Sequence, residues 1–355
     1  MRPLYFAAAF GAFLFLALNV WAGWHDVADA FARLGWGIAL IVAARAIAIA
    51  AVGMGWWPLA AVFASISPWV CIVLRWVRDA INNLLPVAQV GGEIIGARLL
   101  ARGGVPAGAA GATVLVDFSM QLVTQLLFTF IGLGWLVALT GGNAVAYDVL
   151  IGLLIFTPAV AGFFYLAQGQ GGLKLVERGL RRIAGMFSLN TMSNLSRVGD
   201  AVQTLYERPG LIAWAFLAHM AVWFFGAVEI YIGLRFLGQD AHVSTAIVVE
   251  SLGQAVKGAA FSVPGAVGVQ EGGFVALCAI FGISPPVAIA LSLAKRAPDL
   301  ILGLPALAYW RVLERRGDVA AIDNREGAGA PYPNVSAARA AARSAPEPTN
   351  APGNT

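Results

Sequence analysis

Charge is the scarcest ingredient of this sequence. Only 12% of its 355 residues are Asp, Glu, Lys or Arg, against roughly 25% in an ordinary soluble domain. That excludes a soluble globular fold. The net charge of +4 is split among separate loops, so it is not the basic surface of a nucleic-acid binder. Cysteine is nearly absent: Cys71 and Cys278 lie far apart in apolar surroundings. They form neither a disulfide framework nor a metal site and are expected to pack as small buried hydrophobes. No H-E-x-x-H, clustered His/Asp set, G-x4-G-K-[ST] or G-x-S-x-G is present. The Gly-Gly pairs lack the strand–helix context of a dinucleotide fold, and closely spaced acidic pairs are missing. No metal, cofactor or nucleotide-driven pumping is therefore expected, and an enzyme is disfavoured, although an unfamiliar intramembrane transferase stays open.

Apolar residues are what the chain has in excess, at 59% with a mean hydropathy of +0.76. Several runs of about 20 residues match the thickness of a bilayer core. They are continuous rather than alternating, which excludes a β-barrel. The expected class is an all-α integral membrane protein. Full spans are predicted at about 4–22, 36–63, 108–139, 147–167, 210–237 and 285–310, with interrupted apolar regions at 69–101 and 244–281. The first run is too long, and too poorly ended by a small-residue site, for a signal peptide, so it reads as a retained span. Residues 173–208 are too charged to cross and read as part of an amphipathic cytoplasmic linker, about 170–209. The polytopic domain is placed at 1–317. The Ala-, Pro- and Gly-rich segment 318–355 is expected to be disordered.

Basic residues set the orientation. Arg75, Arg78, Arg98 and Arg102 fall in 64–107, six Lys or Arg in 168–209, and Arg311, Arg315 and Arg316 after the last span. Segment 23–35 holds only Arg33 and 140–146 none, while Arg235 weakens the contrast slightly. Both termini are thus expected in the cytoplasm, with six crossings. Each interrupted region must then return to its own side, the first dipping in from the cytoplasm and the second from outside.

These two regions share a frame. With Pro86 set against Pro264, Glu93 falls on Glu271 and Gly104 on Gly282. Each unit, about 1–140 and 145–312, then holds two spans, an interrupted hairpin and a further span, and the units are inverted. Inverted repeats with broken helices at membrane depth are a signature of secondary transporters. Broken backbone is tolerated in a bilayer only where protein or a wet cavity surrounds it. Glu271 is therefore expected to line such a cavity. The bland alternative is a kink with a glutamate that snorkels.

Ten ionisable residues fall within these regions: Arg45, Glu93, Asp117, Glu229, Glu250, Lys257, Glu271, Lys295, Arg296 and Asp299. Facing lipid, they would together cost on the order of 30 kcal/mol, so most must face inward or pair. Asp117, Gln121, Thr124 and Gln125 share one helical face, and so do Ser292, Lys295, Arg296 and Asp299. Asp117 is expected to pair across the bundle with Lys295 or Arg296, as a structural ion pair or as part of a path for an anionic lipid headgroup. Arg45 either assists or snorkels outward. His219 is expected to bond to a neighbouring span. Tryptophans near the span ends, Trp56 among them, read as an interfacial belt.

Two segments carry a resemblance. INNLLPVAQVGGEIIGARLLARGGVP and FSVPGAVGVQEGG resemble the two hallmarks of the lysylphosphatidylglycerol-synthase transmembrane, or flippase-like, family. The stretch from RWVRDAINNLLP to Asp117 looks most like its hopanoid-biosynthesis-associated HpnL subgroup. Ala266 stands where the family often has a second glycine. The cytoplasmic transferase domain of lipid-lysylating members has no counterpart here, so lysyl transfer is not implied. The resemblance implies movement of a lipid, hopanoid or hopanoid-linked, between the leaflets of a bacterial inner membrane. It points to Asn83, Pro86, Glu93 and Arg98 in the first hairpin, and to Ser262, Pro264, Gly265, Gly268 and Glu271 in the second. Arg45, Asp117, Lys295, Arg296 and Asp299 complete the candidate path. Expected partners are membrane lipids and other membrane proteins of a lipid pathway. A scaffold or an intramembrane lipid-modifying enzyme stands as the alternative.

Overall fold

The computed structural model describes residues 2–85, 90–141, 195–260 and 263–316, and every regular element among them is helical. In order these are α1 (Arg2–Ala22), α2 (Trp24–Arg33), α3 (Gly37–Ala61), α4 (Pro68–Leu84), α5 (Gly91–Arg102), α6 (Ala107–Thr140), α7 (Leu195–Tyr206), α8 (Pro209–Phe236), α9 (Val243–Ala259), α10 (Val269–Ile280), α11 (Pro285–Ile301) and α12 (Gly303–Arg316). An apolar solvent gives backbone groups no partner, so long apolar runs satisfy them internally as helix. Helices α3, α6 and α8 are long and apolar enough to cross a membrane. The predicted crossing at 147–167, the linker up to residue 194 and the tail 318–355 lie outside the described residues.

The start and stop signals are local. Helices α4, α8 and α11 each open with proline in the first turn, where a missing N–H costs nothing. Ser67 Oγ accepts from Trp69 N at 3.2 Å to cap α4. That helix ends at Leu85, which is extended (φ −104°, ψ 149°), as a residue before proline tends to be. The second break is built differently. A 3-10 turn, Pro264–Ala266, leads into α10 through Gly265 at φ 61° and Gly268 at φ 78°. Ala266 itself sits at φ 50°, a left-handed conformation that costs an L-residue about 1–2 kcal/mol. The alanine that replaces the expected glycine is thus held in strain. One prediction needs correcting: the span at 285–310 is two helices, α11 and α12, divided at Leu302. Pro298 inside α11 removes a backbone donor near this division.

Helix bounds recur along the chain. Both α5 and α10 have 12 residues, and their ends lie 178 positions apart, 91 to 269 and 102 to 280. Helices α6 and α11 begin with the same separation, 107 to 285. Packing recurs as well: α4 against α5 and α5 against α6 are matched by α9 against α10 and α10 against α11.

Buried apolar residues form two main cores. The first gathers α4, α5, the end of α3 (Trp56, Leu59), the start of α6 (Ala109, Ala112), α7, the start of α8 (Ala215) and Leu313 of α12. The second gathers α9, α10, α11, the start of α3 (Ile41), the end of α6 (Leu133, Leu136) and the end of α8 (Ile230, Leu234). Helices α6 and α8 therefore run from the first core to the second. Helix α3 and the α11–α12 pair run the other way.

Candidate functional site

Three polar networks lie among these helices. The first is centred on Arg78 of α4, whose side chain is fully buried. Its Nη2 donates to Asp117 Oδ2 at 2.9 Å and to the Glu93 carboxylate. Arg75, one helical turn earlier, reaches Asp117 Oδ2 at 3.4 Å, Gln121 Oε1 at 3.2 Å and Asp79 at 3.0 Å. His219 Nε2 of α8 lies 2.9 Å from Asp117 Oδ1. Trp56 covers the Arg78 guanidinium at 4.6 Å, a cation–π contact. Asn82 ties the network to the hairpin, donating to Glu93 at 3.2 Å and accepting from Gly92 N at 2.8 Å.

The second network closes the broken backbone before α10. Glu271 is its third residue, and its Oε2 accepts from Gly268 N at 2.6 Å. A carboxylate here satisfies a free N–H and faces the positive helix end. Its Oε1 accepts from Arg296 Nε at 2.6 Å and from Ser292 Oγ at 3.3 Å. The same guanidinium donates to the carbonyls of Gly265 (2.8 Å) and Ala266 (3.3 Å). Arg296 thus supplies the donors that the break removed.

The third network is the most extended. Arg45 of α3 forks onto Glu229 of α8 with two 2.8 Å bonds and reaches Asp299 at 3.4 Å. Lys295 sits between Glu229 (2.7 Å) and Glu250 (2.9 Å) and donates to Gly226 O at 3.4 Å. Gln254 Nε2 donates to Glu250 at 2.9 Å. A Cβ at Gly226 would overlap the Glu250 carboxylate and push it from its place beside Lys295 and Gln254. Asn83 joins the two hairpins by donating to Asp299 at 3.2 Å and accepting from Lys257 Nζ at 3.4 Å. Beside this network lies a narrow cavity with room for about one water molecule, lined by Arg45, Gln254, Lys257, Gln270 and Lys295 among others.

All ten ionisable residues expected at depth are hydrogen-bonded, ion-paired or both. His219 bonds across to a neighbouring helix, and Cys71 and Cys278 are buried free thiols. Several expectations are corrected. Asp117 does not pair with Lys295 or Arg296. It is taken by Arg75, Arg78 and His219, while Lys295 holds Glu229 and Glu250 and Arg296 holds Glu271. Glu271 is engaged by the cap and by Arg296, and it is not among the residues that line the small cavity beside Lys295. Arg45 turns inward rather than snorkelling, because Glu229 offers it a bidentate partner. Arg98 stands apart from the networks and pairs, with Arg102, to Glu314 of α12. Trp56 is no belt residue, being fully buried over Arg78, whereas Trp21, Trp24, Trp36 and Trp214 are exposed. Pro86 and Ser262 lie outside the described residues. Pro264, Gly265 and Gly268 shape the turn.

Arg75 and Arg78 read in the sequence as topology signals. Their i, i+3 spacing in RWVRD places both on one helical face and was the available hint. Glu229, Glu250 and Lys257 were recognisable as buried charges but carried no motif.

No curated protein sequence and no solved structure matches the chain. The family described as the lysylphosphatidylglycerol synthase TM region matches residues 6–306. That match covers most of the 355 residues, and the chain belongs to this family of membrane proteins linked to lipid handling.

Proposed function

We propose that the protein is a lipid transporter, or flippase, of a bacterial inner membrane, with both termini cytoplasmic and no catalytic step of its own. In this reading residues 1–140 and 145–312 are inverted units, each holding one re-entrant hairpin. The observation that carries it is the opposed course of matched helices: α6 runs from the first core to the second, and α11–α12 runs back. The recurrence of helix bounds 178 positions apart supports the same assignment.

Where the units meet, Arg45 of the first binds Glu229 and Asp299 of the second, beside the Lys295–Glu250 pair. Such ionised groups inside a membrane protein mark substrate paths more often than scaffolding. Asn83 joins the hairpins across this centre through hydrogen bonds of 3.2 and 3.4 Å, to Asp299 and Lys257. Bonds of this kind can be exchanged when the units move, and a headgroup can take their place while its tails stay in lipid. The cargo suggested by the resemblance is a hopanoid or hopanoid-linked lipid, and the expected partners are lipids and other proteins of that pathway.

The test is leaflet-resolved lipid analysis of a deletion strain, followed by reconstitution of the purified protein in vesicles of defined lipids. A changed leaflet distribution with unchanged lipid chemistry is the expected result. A missing lipid species would instead assign the protein an enzymatic role.

A further inference from the structure

The three networks differ in their charge count. In the second and third, Arg45, Lys257, Lys295 and Arg296 stand with Glu229, Glu250, Glu271 and Asp299, four cations with four carboxylates. In the first, Arg75 and Arg78 hold Asp79, Glu93 and Asp117, two cations for three carboxylates. Among the described residues no other Lys or Arg pairs with these three. Asp79 stands at the rim with its side chain 26% exposed, whereas Glu93 and Asp117 are buried. The remaining member is His219, which is 2% exposed and holds Asp117 Oδ1 at 2.9 Å. An imidazolium there would make the count three for three.

The surroundings of His219 are well defined. Helix α6 brings Asp117, and α4 brings Arg75, Arg78 and the buried Cys71 thiol. Glu93 of α5 stands behind Arg78. From α3, α9 and α11 the charged groups that reach α8 are Arg45, Glu250 and Lys295, and they do so at Gly226 and Glu229, two turns or more further along. Helix α7 carries Arg197, Asp200 and Glu207, and none of them bonds to His219. An ionised carboxylate only accepts, so His219 Nε2 donates to Asp117 and Nδ1 is the nitrogen that gains or loses a proton.

We infer that His219 is a proton-binding site, and that the proton it carries is the co-substrate that drives lipid movement. The coupling rests on the transport reading, whereas the site rests on the charge count and on the Asp117 bond. That bond joins α6 of the first proposed unit to α8 of the second. A charge-assisted hydrogen bond is roughly twice as strong as a neutral one, so a proton on His219 tightens the joint between the units and its loss loosens it. Burial suits the role, because a site open to both sides at once would leak protons. In each cycle a proton from water on one side adds to the Nδ1 lone pair, and the same N–H later breaks to return it to water on the other. No electrons are transferred, and the energy source is the proton gradient across the membrane.

The test is nitrogen NMR of the full chain in lipid bilayers, with isotope-labelled histidine and with the other histidines, His25 and His242, replaced by glutamine. Between about pH 5 and about pH 8 the ring is expected to pass from imidazolium to a neutral form that keeps its Nε2 hydrogen. A ring that holds one protonation state throughout overturns the site. Asp79→Asn, which removes the carboxylate at the rim, is expected to move the change to lower pH, and an unmoved change overturns the charge count. Coupling is read in sealed vesicles of phosphatidylethanolamine and phosphatidylglycerol with a trace of labelled hopanoid. An imposed pH gradient is expected to speed its movement severalfold. His219→Gln, whose amide still donates to Asp117, is expected to abolish that stimulation, and equal stimulation of the variant overturns the coupling. A titrating ring without lipid movement keeps the proton site and removes the hopanoid transporter. Movement with a ring that does not titrate does the reverse.

Discussion

Glu93 and Glu271 occupy the same place in two hairpins and are held in different ways. Each is the third residue of a 12-residue helix that follows a break. Glu93 takes its guanidinium from Arg78, on the preceding helix α4, and shares it with Asp117. Glu271 takes its own from Arg296, on the following helix α11. The matched positions are Val256 for Arg78 and Phe118 for Arg296. The frame thus requires a carboxylate at the helix start and a cation on it, but not a particular helix to supply that cation. Helices α5 and α10 share their length and the place of this carboxylate, and differ in which neighbouring helix supplies its cation.

This difference can be broken experimentally, beginning with the deeper network. Arg78→Met leaves both Glu93 and Asp117 short of a cation in a fully buried site. Its expected cost is about 3–5 kcal/mol, read as lost thermal or denaturant stability in detergent. Arg296→Met is expected to cost less, about 2–3 kcal/mol. Its guanidinium is partly exposed, and Glu271 keeps Gly268 N and Ser292 Oγ. Equal losses from the two would remove the distinction.

The comparison is sharpened by a double mutant. Asp117 and Lys295 share no partner. Asp117→Asn and Lys295→Met are therefore expected to add to within about 0.5 kcal/mol. Strong coupling in that cycle would restore the cross-bundle pair expected from the sequence. The smallest expected effect has the opposite sign. Ala266→Gly relieves the φ of 50° and should stabilise the protein by about 1 kcal/mol, since glycine carries no left-handed penalty.

Much of the fold was legible because a bilayer leaves the backbone few choices. The predicted spans at 36–63, 108–139 and 210–237 fall within two residues of α3, α6 and α8, and both interruptions lie where proline and glycine marked them. The division at Leu302 was hidden because its flanks are equally apolar. The site was legible residue by residue but not in its pairings. Helical periodicity tells which side chains share a face, and Lys295, Arg296 and Asp299 do turn inward. It does not tell which of several facing carboxylates a cation will take. That is decided by helix packing, and by close approaches such as Gly226 beneath Glu250.

The claim on which these readings rest is that the hairpins sit at opposite faces of the membrane. Ala107 and Ser284 are exposed residues at the ends of the turns that follow α5 and α10. Single cysteines placed there, with Cys71 and Cys278 replaced by serine, can be labelled by a membrane-impermeant maleimide in sealed vesicles of known orientation. The expected result is that Ala107→Cys reacts only from the cytoplasmic side and Ser284→Cys only from the other. Labelling of both positions from one side would contradict the inverted arrangement.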